Sequence, residues 1–399
     1  MTQTNKFMKH LSTIVSLVLL TSGCKDLKQS NTLITIDVTA SYPTKKLILQ
    51  DFMDVEYIAL ETNDEFINNG SVLAIGDKLM VVSTGARDGA FFIYDRTGKG
   101  LRKINRQGRG SQEYVYISQA ILDEDHEELF INDYSSDRIQ VYDLFGKFKR
   151  SVPYQEGCKY HNIYTFDDKN FICEDSSFYR DADETDKPLF VIISKEDGSV
   201  VKEINTPFKE KKSDRARVEK NGIIVVAYLS FFSVIPYHGS WILTNHSSDT
   251  VFRYLPDHSM VPFMTRIPSL QTMKPEVFLF PEILTERYYF LQTLKLEPEF
   301  TGTTGYDANM IIPKTYLAYD RREMSLFKYT VLNGDFATKV VVDMSRKTIS
   351  DEIAFYESYG ADVLVEAYKK GELKGKLREV AAGLVEDANP VVMLVKHKK

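Results

Sequence analysis

The sequence predicts an all-β fold, a six-bladed β-propeller of four-stranded antiparallel blades with a short helical insertion near the C-terminus. Three observations predict it. A strand–turn–strand unit recurs every forty to sixty residues. The middle of the chain alternates short apolar segments with Gly, Asp and Asn turns, and its 23 Tyr and 24 Phe suit strands. Helical spacing is confined to the C-terminal end.

The chain opens with Lys6 and Lys9, followed by the apolar run "LSTIVSLVLL", residues 11–20. At ten residues this run suits the h-region of an export signal and is about half of what a membrane-spanning helix needs. It ends in "TSGC", small residues up to Cys24, with a polar stretch beyond. That ending resembles the bacterial lipobox, with Leu20 one position upstream of the usual leucine. The resemblance implies acylation of Cys24, a signal peptide over 1–23 and a tether over 24–45. Its removal takes two lysines and no acids, changing the formal charge from −6 to −8. Diffuse acidity and export together exclude a nucleic-acid role.

The repeat begins with "AFFIYDRTGKGLRKI" (90–104) and returns as "IQVYDLFGKFKRSV" (139–152), placing Tyr94 and Tyr142 forty-eight residues apart. Weaker copies are "LFVIISKEDGSVVKEI" (189–204), "DTVFRYLPDHSMVPFM" (249–264) and "TYLAYDRREMSLFKYT" (315–330). In the two clear copies a Gly-Lys pair follows the aspartate after a two-residue gap, where Gly98 and Gly146 can take positive φ. Another hairpin precedes each copy, which makes four strands per period, the pattern of radially stacked blades. We place five blades near 70–104, 117–152, 161–204, 232–264 and 283–330. The sixth is assembled from 335–345 and the terminal "PVVMLVKHK", with "MDVEYIALE" helping to close the ring. The weakly periodic residues 268–313 leave room for a seventh. Leu373, Leu377, Val380 and Leu384 recur at helical spacing, so a helical insertion is expected at about 351–388 within a propeller spanning 46–399. The charged residues 206–222 read as solvated.

Chemistry is sparse. H-E-x-x-H, G-x-S-x-G and C-x-x-C are absent, and no phosphate loop occurs in the basic, glycine-rich stretch "GKGLRKINRQGRGSQEYVYI" (98–117). "DEDHEE" (123–128) could suggest calcium, but it falls in a hairpin turn and reads as solvated. Trp241 lies at odd spacing from His238 and His246, which argues against one shared ligand face. Cys158 and Cys173 are either a disulfide or two buried thiols. No catalytic residue, metal or cofactor is assigned. The crossing from blade one to blade two emerges near the channel mouth, which makes Arg106, Arg109, Glu113 and Tyr114 the candidate ligand face.

Taken together, "ETNDEFI", the crossing "INRQGRGSQEY" and the C-terminal "ADVLVEAYKKGELKGKLREVAAGLVEDANPVVMLVKHK" resemble the six-bladed β-propeller lipoproteins of gut Bacteroides and relatives. That family is similar to NHL-type propellers and is largely of unknown function. Its crossing usually reads "IGRKGQGPGEY": Gly108, Gly110, Glu113 and Tyr114 match, while Asn105 and Ser111 occupy its Gly and Pro positions. The resemblance implies an outer-membrane lipid anchor and a binding or scaffolding role toward a glycan, peptide or envelope protein. The alternatives are a propeller enzyme, hydrolase or lyase, working in the central channel, and a purely structural envelope component.

Overall fold

In a computed structural model that describes residues 33–85, 89–179, 187–220, 223–301 and 309–398, the repeats form six blades around a central channel. Blade one contains Val72–Ile75, Leu79–Ser83, Phe91–Asp95 and Gly100–Ile104, counted outward. Blade two contains Gln119–Asp123, Glu128–Asp133, Arg138–Asp143 and Phe148–Pro153. Blade three contains Tyr160–Thr165, Asn170–Asp175, Phe190–Ser194 and Val200–Ile204. The third strands bury nearly every residue, as in Phe91–Tyr94 and Phe190–Ile193. Neighbouring blades cover both of their faces, so they read as continuous apolar runs, whereas Gly100–Ile104 alternates because one face meets solvent.

The recurrent D-x-x-G-K turn has a physical basis at each position. Asp95 Oδ1 accepts the N–H groups of Thr97 (2.8 Å) and Lys99 (3.1 Å). Asp143 Oδ1 likewise accepts those of Phe145 (2.9 Å) and Lys147 (2.8 Å). Gly98 adopts φ +88°, and a Cβ there would lie 2.1 Å from the carbonyl oxygen of Ala59 in the preceding blade. Both the left-handed backbone and the close approach therefore require glycine. The same kind of contact recurs at the next two blade boundaries. The carbonyl of each turn glycine accepts a hydrogen bond from the residue two places beyond the outer strand of the preceding blade. The donors are Glu61 N to Gly98 (2.8 Å), Arg106 Nε to Gly146 (2.7 Å) and Gln155 Nε2 to Gly198 (3.0 Å).

Strand number varies from three to six per blade. Blade four (Val234–Tyr237, Ser240–Leu243, Thr250–Tyr254, Met260–Ile267) gains Ile34–Asp37 as a parallel fifth strand. Blade five (Val277–Leu284, Tyr288–Lys295, Lys314–Asp320, Ser325–Leu332) gains Thr44–Ile48 in parallel and the short Val341–Val342. Residues expected in the tether thus include one strand and the start of a second. Blade five starts at Val277 rather than 283, and its first hairpin occupies the weakly periodic stretch, where Pro281 interrupts the pattern. The described residues form six blades, and the weakly periodic stretch adds no seventh among them.

Blade six departs most from expectation. It consists of Ile353–Tyr359, Val391–His397 and the N-terminal Met53–Ala59, which pairs antiparallel from Met53↔His397 to Ala59↔Val391. Residues 335–345 supply no strand to it. Residues 353–359, expected within the helical insertion, form a strand because Ile353, Ala354 and Phe355 are buried against the terminal strand. The helices are Ala361–Lys369 and Gly375–Ala381. Their Leu364, Leu377 and Ala381, with Leu373, pack onto Phe355, Val391 and Met393. Two further hairpins, Arg215–Lys220 with Ile223–Tyr228 and Glu299–Thr301 with Asn309–Ile311, stand outside the blades. The first includes part of the charged residues 206–222, whose described charged side chains are exposed or partly exposed, as the solvated reading expected.

Candidate functional site

The first strands of blades one, two and three meet around the axis. With Pro236 and Gly239–Trp241 of blade four, they enclose a cavity of about 740 Å³. Blade six has no regular innermost strand. An extended segment takes that place, lines the cavity over residues 346–351, and turns back where Ile349 and Ser350 donate to the carbonyl of Ile353 at 3.2 and 3.0 Å.

Polar side chains on the other blades' walls are largely committed to structure. Gln119 exchanges hydrogen bonds with the backbone of Ile163, donating at 2.5 Å and accepting at 3.1 Å. Ser118 Oγ donates to Asn132 O at 2.7 Å, and Ser240 Oγ donates to Tyr237 O. Trp241 stacks on Phe166 with centroids 4.4 Å apart. All four ionisable Arg, Lys, Asp and Glu side chains that line the cavity, Arg346, Lys347, Asp351 and Glu357, come from blade six.

Arg346 Nη2 lies 3.3 Å from Glu357 Oε1, and Tyr359 OH donates to Glu357 Oε2 at 3.4 Å. Burial nevertheless holds the Glu357 carboxyl above its ordinary pKa. Asp351 Oδ2 accepts Gly239 N at 2.6 Å. Lys347 reaches across the channel to blade three, where its Nζ lies 4.9 Å from the centroid of the Tyr164 ring. Burial lowers its pKa to about 8, against a smaller opposing pull from Glu174. Glu174 itself is engaged, accepting from Asn162 Nδ2 (2.6 Å) and Tyr179 OH (2.7 Å). Thr348 is 3% exposed, and its Oγ1 has no hydrogen-bond partner among the described residues; the same is true of Arg346 Nε.

None of Arg106, Arg109, Glu113 and Tyr114 lines this cavity. Arg106 is drawn outward to the turn carbonyl of Gly146. Glu113 folds back inside the crossing, where its Oε2 accepts Gly110 N at 2.8 Å, and a Cβ on Gly108 would lie 1.9 Å from that oxygen. Tyr114 is fully buried between blades one and two, with its hydroxyl donating to Gly89 O at 2.7 Å. Arg109 is exposed on the same crossing. The glycine and Glu–Tyr pattern therefore encodes a self-bonded loop.

The acidic turn at 123–128 is a hairpin turn, as expected, exposed at Asp125, His126 and Glu127, and it also clamps the neighbouring blade through Glu124. Glu124 accepts the backbone N–H groups of Asp77, Lys78 and Leu79 at 2.7–3.1 Å. Glu128 forms a bidentate pair with Arg150 at 2.7 and 2.9 Å. His238 pairs with Glu286 at 2.9 Å. His246 is buried among aromatic rings and bonds Lys212 O at 2.8 Å, far from a shared face with His238. Cys158 and Cys173 are separate thiols. Among the described residues no three His, Cys, Asp or Glu side chains are grouped to hold a metal ion. Cys24 and the expected signal peptide lie outside the described residues. Sequence reasoning missed residues 346–348; the signal was a charged pair, Arg346–Lys347, between the stretch assigned to blade six and the expected helical insertion.

Residues 33–267 match the family model described as a domain of unknown function, DUF4934. No curated protein matches the chain. Among solved structures, a Bacteroides fragilis protein described as exported is 14% identical, with a TM-score of 0.56, over 92% of this chain and 100% of that one. A DUF4221-family member from Bacteroides vulgatus is 9% identical, with a TM-score of 0.36, over 88% of this chain and 100% of its own. Virginiamycin B lyase from Staphylococcus aureus is 8% identical, with a TM-score of 0.37, over 87% and 100%. At such identity the first of these shows a shared fold and nothing of activity, and the other two carry no argument.

Proposed function

The chain belongs to the DUF4934 family, and from that premise we propose that it is a binding propeller, tethered to the cell envelope, that takes a small polar ligand into its central cavity. One observation carries the reading: a cavity of about 740 Å³, within the usual size range of small-molecule sites, whose ionisable wall is gathered on one segment of blade six. A glycan or peptide fragment is the class of ligand that suits it. Arg109, exposed on the crossing, is the residue we assign to contact with a larger envelope partner.

The tether rests on the sequence. An export signal over 1–23 and acylation of Cys24 would anchor the chain to the outer membrane, where two acyl chains suffice for stable attachment. Among the described residues no helix is long and apolar enough to cross a membrane. The enzyme reading has no metal-holding cluster behind it among the described residues, and the cavity's Arg346 and Glu357 pair with each other.

Two variants test the reading. Thr165→Trp fills the cavity from an exposed position on its wall. The ligand that co-purifies with the parent, identified by native mass spectrometry, should be lost from this variant while its melting temperature is kept; retention of the same ligand overturns the cavity reading. Cys24→Ala should release the chain from membranes, and unchanged retention there overturns the anchor.

A further inference from the structure

We propose that the protein pairs with a second copy of itself through the face of the ring that carries the blade crossings. The crossing between blades three and four of each copy docks on the crossing between blades six and one of the other.

Topology puts both crossings on one face. In an antiparallel blade the innermost strand leaves the face to which the outermost strand returns, so every crossing lies there, and so does each connection from second to third strand. The blades follow sequence order around the ring, each sharing a core with the next. In a ring of six, the boundary between three and four lies diametrically opposite the boundary between six and one.

At the first of these boundaries stands the hairpin of Arg215–Lys220 with Ile223–Tyr228. Its Ala216 and Ala227 side packs onto the propeller. On its other side Ile224, Val226 and Tyr228 are 50, 38 and 60% exposed, and the register sets Arg217 beside Val226 and Arg215 beside Tyr228. Residues 209–220 hold six Lys and Arg against three acids, in a chain whose net charge is −6. Glu299, exposed on the neighbouring hairpin, offsets one of these charges.

The opposite boundary has the matching character. Asp64 and Glu65 are exposed beside Ile67, which is 65% exposed. Asn389 Nδ2 donates to the carbonyls of Glu61 and Phe66 at 2.7 and 2.6 Å, which brings the exposed Val385, Glu386 and Asp387 alongside. Residues 61–67 and 385–388 together contain five acids and no Lys or Arg. Lys369 pairs with Glu386 at 2.7 Å and offsets one of them.

Each patch is thus a set of exposed apolar side chains ringed by charge of one prevailing sign. Two hairpins cannot meet each other, because like charges would oppose across the contact. A twofold axis between two apposed rings, perpendicular to the line joining the patches, sets the basic hairpin of each copy on the acidic crossing of the other. The contact forms twice and closes on itself. Neither patch contributes a residue to the cavity wall, so pairing and cavity binding are separate properties.

Sedimentation equilibrium on the full chain without its signal peptide tests this, with charge reversals at exposed positions. Lys209→Glu with Arg217→Glu makes both patches acidic. Asp64→Lys with Glu65→Lys and Asp387→Lys makes both basic, and all five together exchange the signs. The parent should dimerise by about 100 μM, within reach of a weak interface. Raising salt from about 0.05 M to about 0.5 M should weaken the dimer at least tenfold. Each reversed protein alone should self-associate at least tenfold more weakly than the parent, with a melting temperature within a few degrees of it. Mixed, the two should form a heterodimer, and the fivefold variant should dimerise again. Should either reversal fold poorly, Val226→Asp and Ile67→Asp decide, each expected to weaken the dimer at least tenfold. A parent that stays monomeric overturns the inference. So does a dimer that tolerates the substitutions in both patches, or a mixture of the reversed proteins that fails to associate.

Discussion

Arg106 Nε donates to the carbonyl of Gly146 at 2.7 Å, across the boundary between blades one and two. Equivalent bonds from Glu61 to Gly98 and from Gln155 to Gly198 make this one of three links that fix blades one, two and three each against the blade before it. Replacing Arg106 by alanine should therefore destabilise the protein by about 1–2 kcal/mol, the range for a charge-assisted bond that is partly solvated. Cavity binding should not change. Urea unfolding checks the first outcome, and a stability equal to the parent's would show the clasp to be idle.

Glu124 makes a larger contribution at the same boundary. Its carboxylate serves three consecutive N–H groups of the Asp77–Leu79 turn, which alanine would leave to water or to nothing. The expected loss for Glu124→Ala is about 2–3 kcal/mol. Gly76→Ala should be damaging for a related reason, since its Cβ would lie 2.5 Å from Glu124 Oε1. Thermal melts of the two single variants and the double variant should reveal non-additivity, because both act on one contact.

Tyr114 separates ring from hydroxyl. Tyr114→Ala empties a fully buried site beside Phe91 and Tyr142 and should cost about 3–5 kcal/mol. Tyr114→Phe keeps the ring and loses the bond to Gly89 O, for about 1 kcal/mol. Equal losses from both variants in denaturant titrations would contradict the packing assignment.

Glu282 points to a gain in stability. It is 0% exposed, neither carboxyl oxygen has a partner among the described residues, and burial raises its pKa well above the ordinary value. A raised pKa means that the folded state favours the neutral acid. Its contribution is complete below the ordinary carboxylate range and is lost as pH rises through the folded value. Glu282→Gln cannot ionise, so it should overtake the parent in stability as pH climbs from 5 to 8. Chemical denaturation at those two pH values would show it, and a parent that stays ahead at pH 8 would refute it.

Lys347 titrates with the opposite sign. Burial brings its folded pKa down to about 8 from an ordinary 10.5, so between those values the unfolded chain holds a proton that the folded one has released. Stability of the ligand-free protein should rise with pH from 8 toward 10, and Lys347→Met should flatten that rise. A parent and a Lys347→Met variant with parallel pH–stability profiles would show that this lysine keeps an ordinary pKa.

Five blades were legible in the sequence because their turn chemistry is local. Asp95 and Gly98 act within a few residues of each other, and so do Asp143 and Gly146. Blade six was not, for a topological reason: its strands come from both ends of the chain, and its axial position is filled by a segment with no ladder to impose alternation. The helical insertion was placed correctly before the last strand, but Ile353–Tyr359 was absorbed into it, since an apolar run as short as Ile353–Phe355 has no readable period. The channel was foreseen as a place, and its lining residues were not. Arg106 shows the difficulty in one residue. Its glycine-rich surroundings were visible, while its partner is a backbone carbonyl forty residues away, and a carbonyl leaves no mark on the sequence.

The pairing of Met53–Ala59 with Val391–His397 also sets an order of events. Blades one, two and three are each complete in consecutive sequence and can form as the chain is made. The strand Met53–Ala59 has no strand partner until the final residues arrive, and by then its segment has been carrying an open hydrogen-bonding edge past every other blade. Closing that gap is the longest-range event in assembly and falls at its end, so shortening the C-terminus by even the last strand should leave a nearly finished ring with one adhesive seam. Such a truncated chain would be expected to accumulate as linked multimers through that seam, the open edge of one molecule pairing with the open edge of the next.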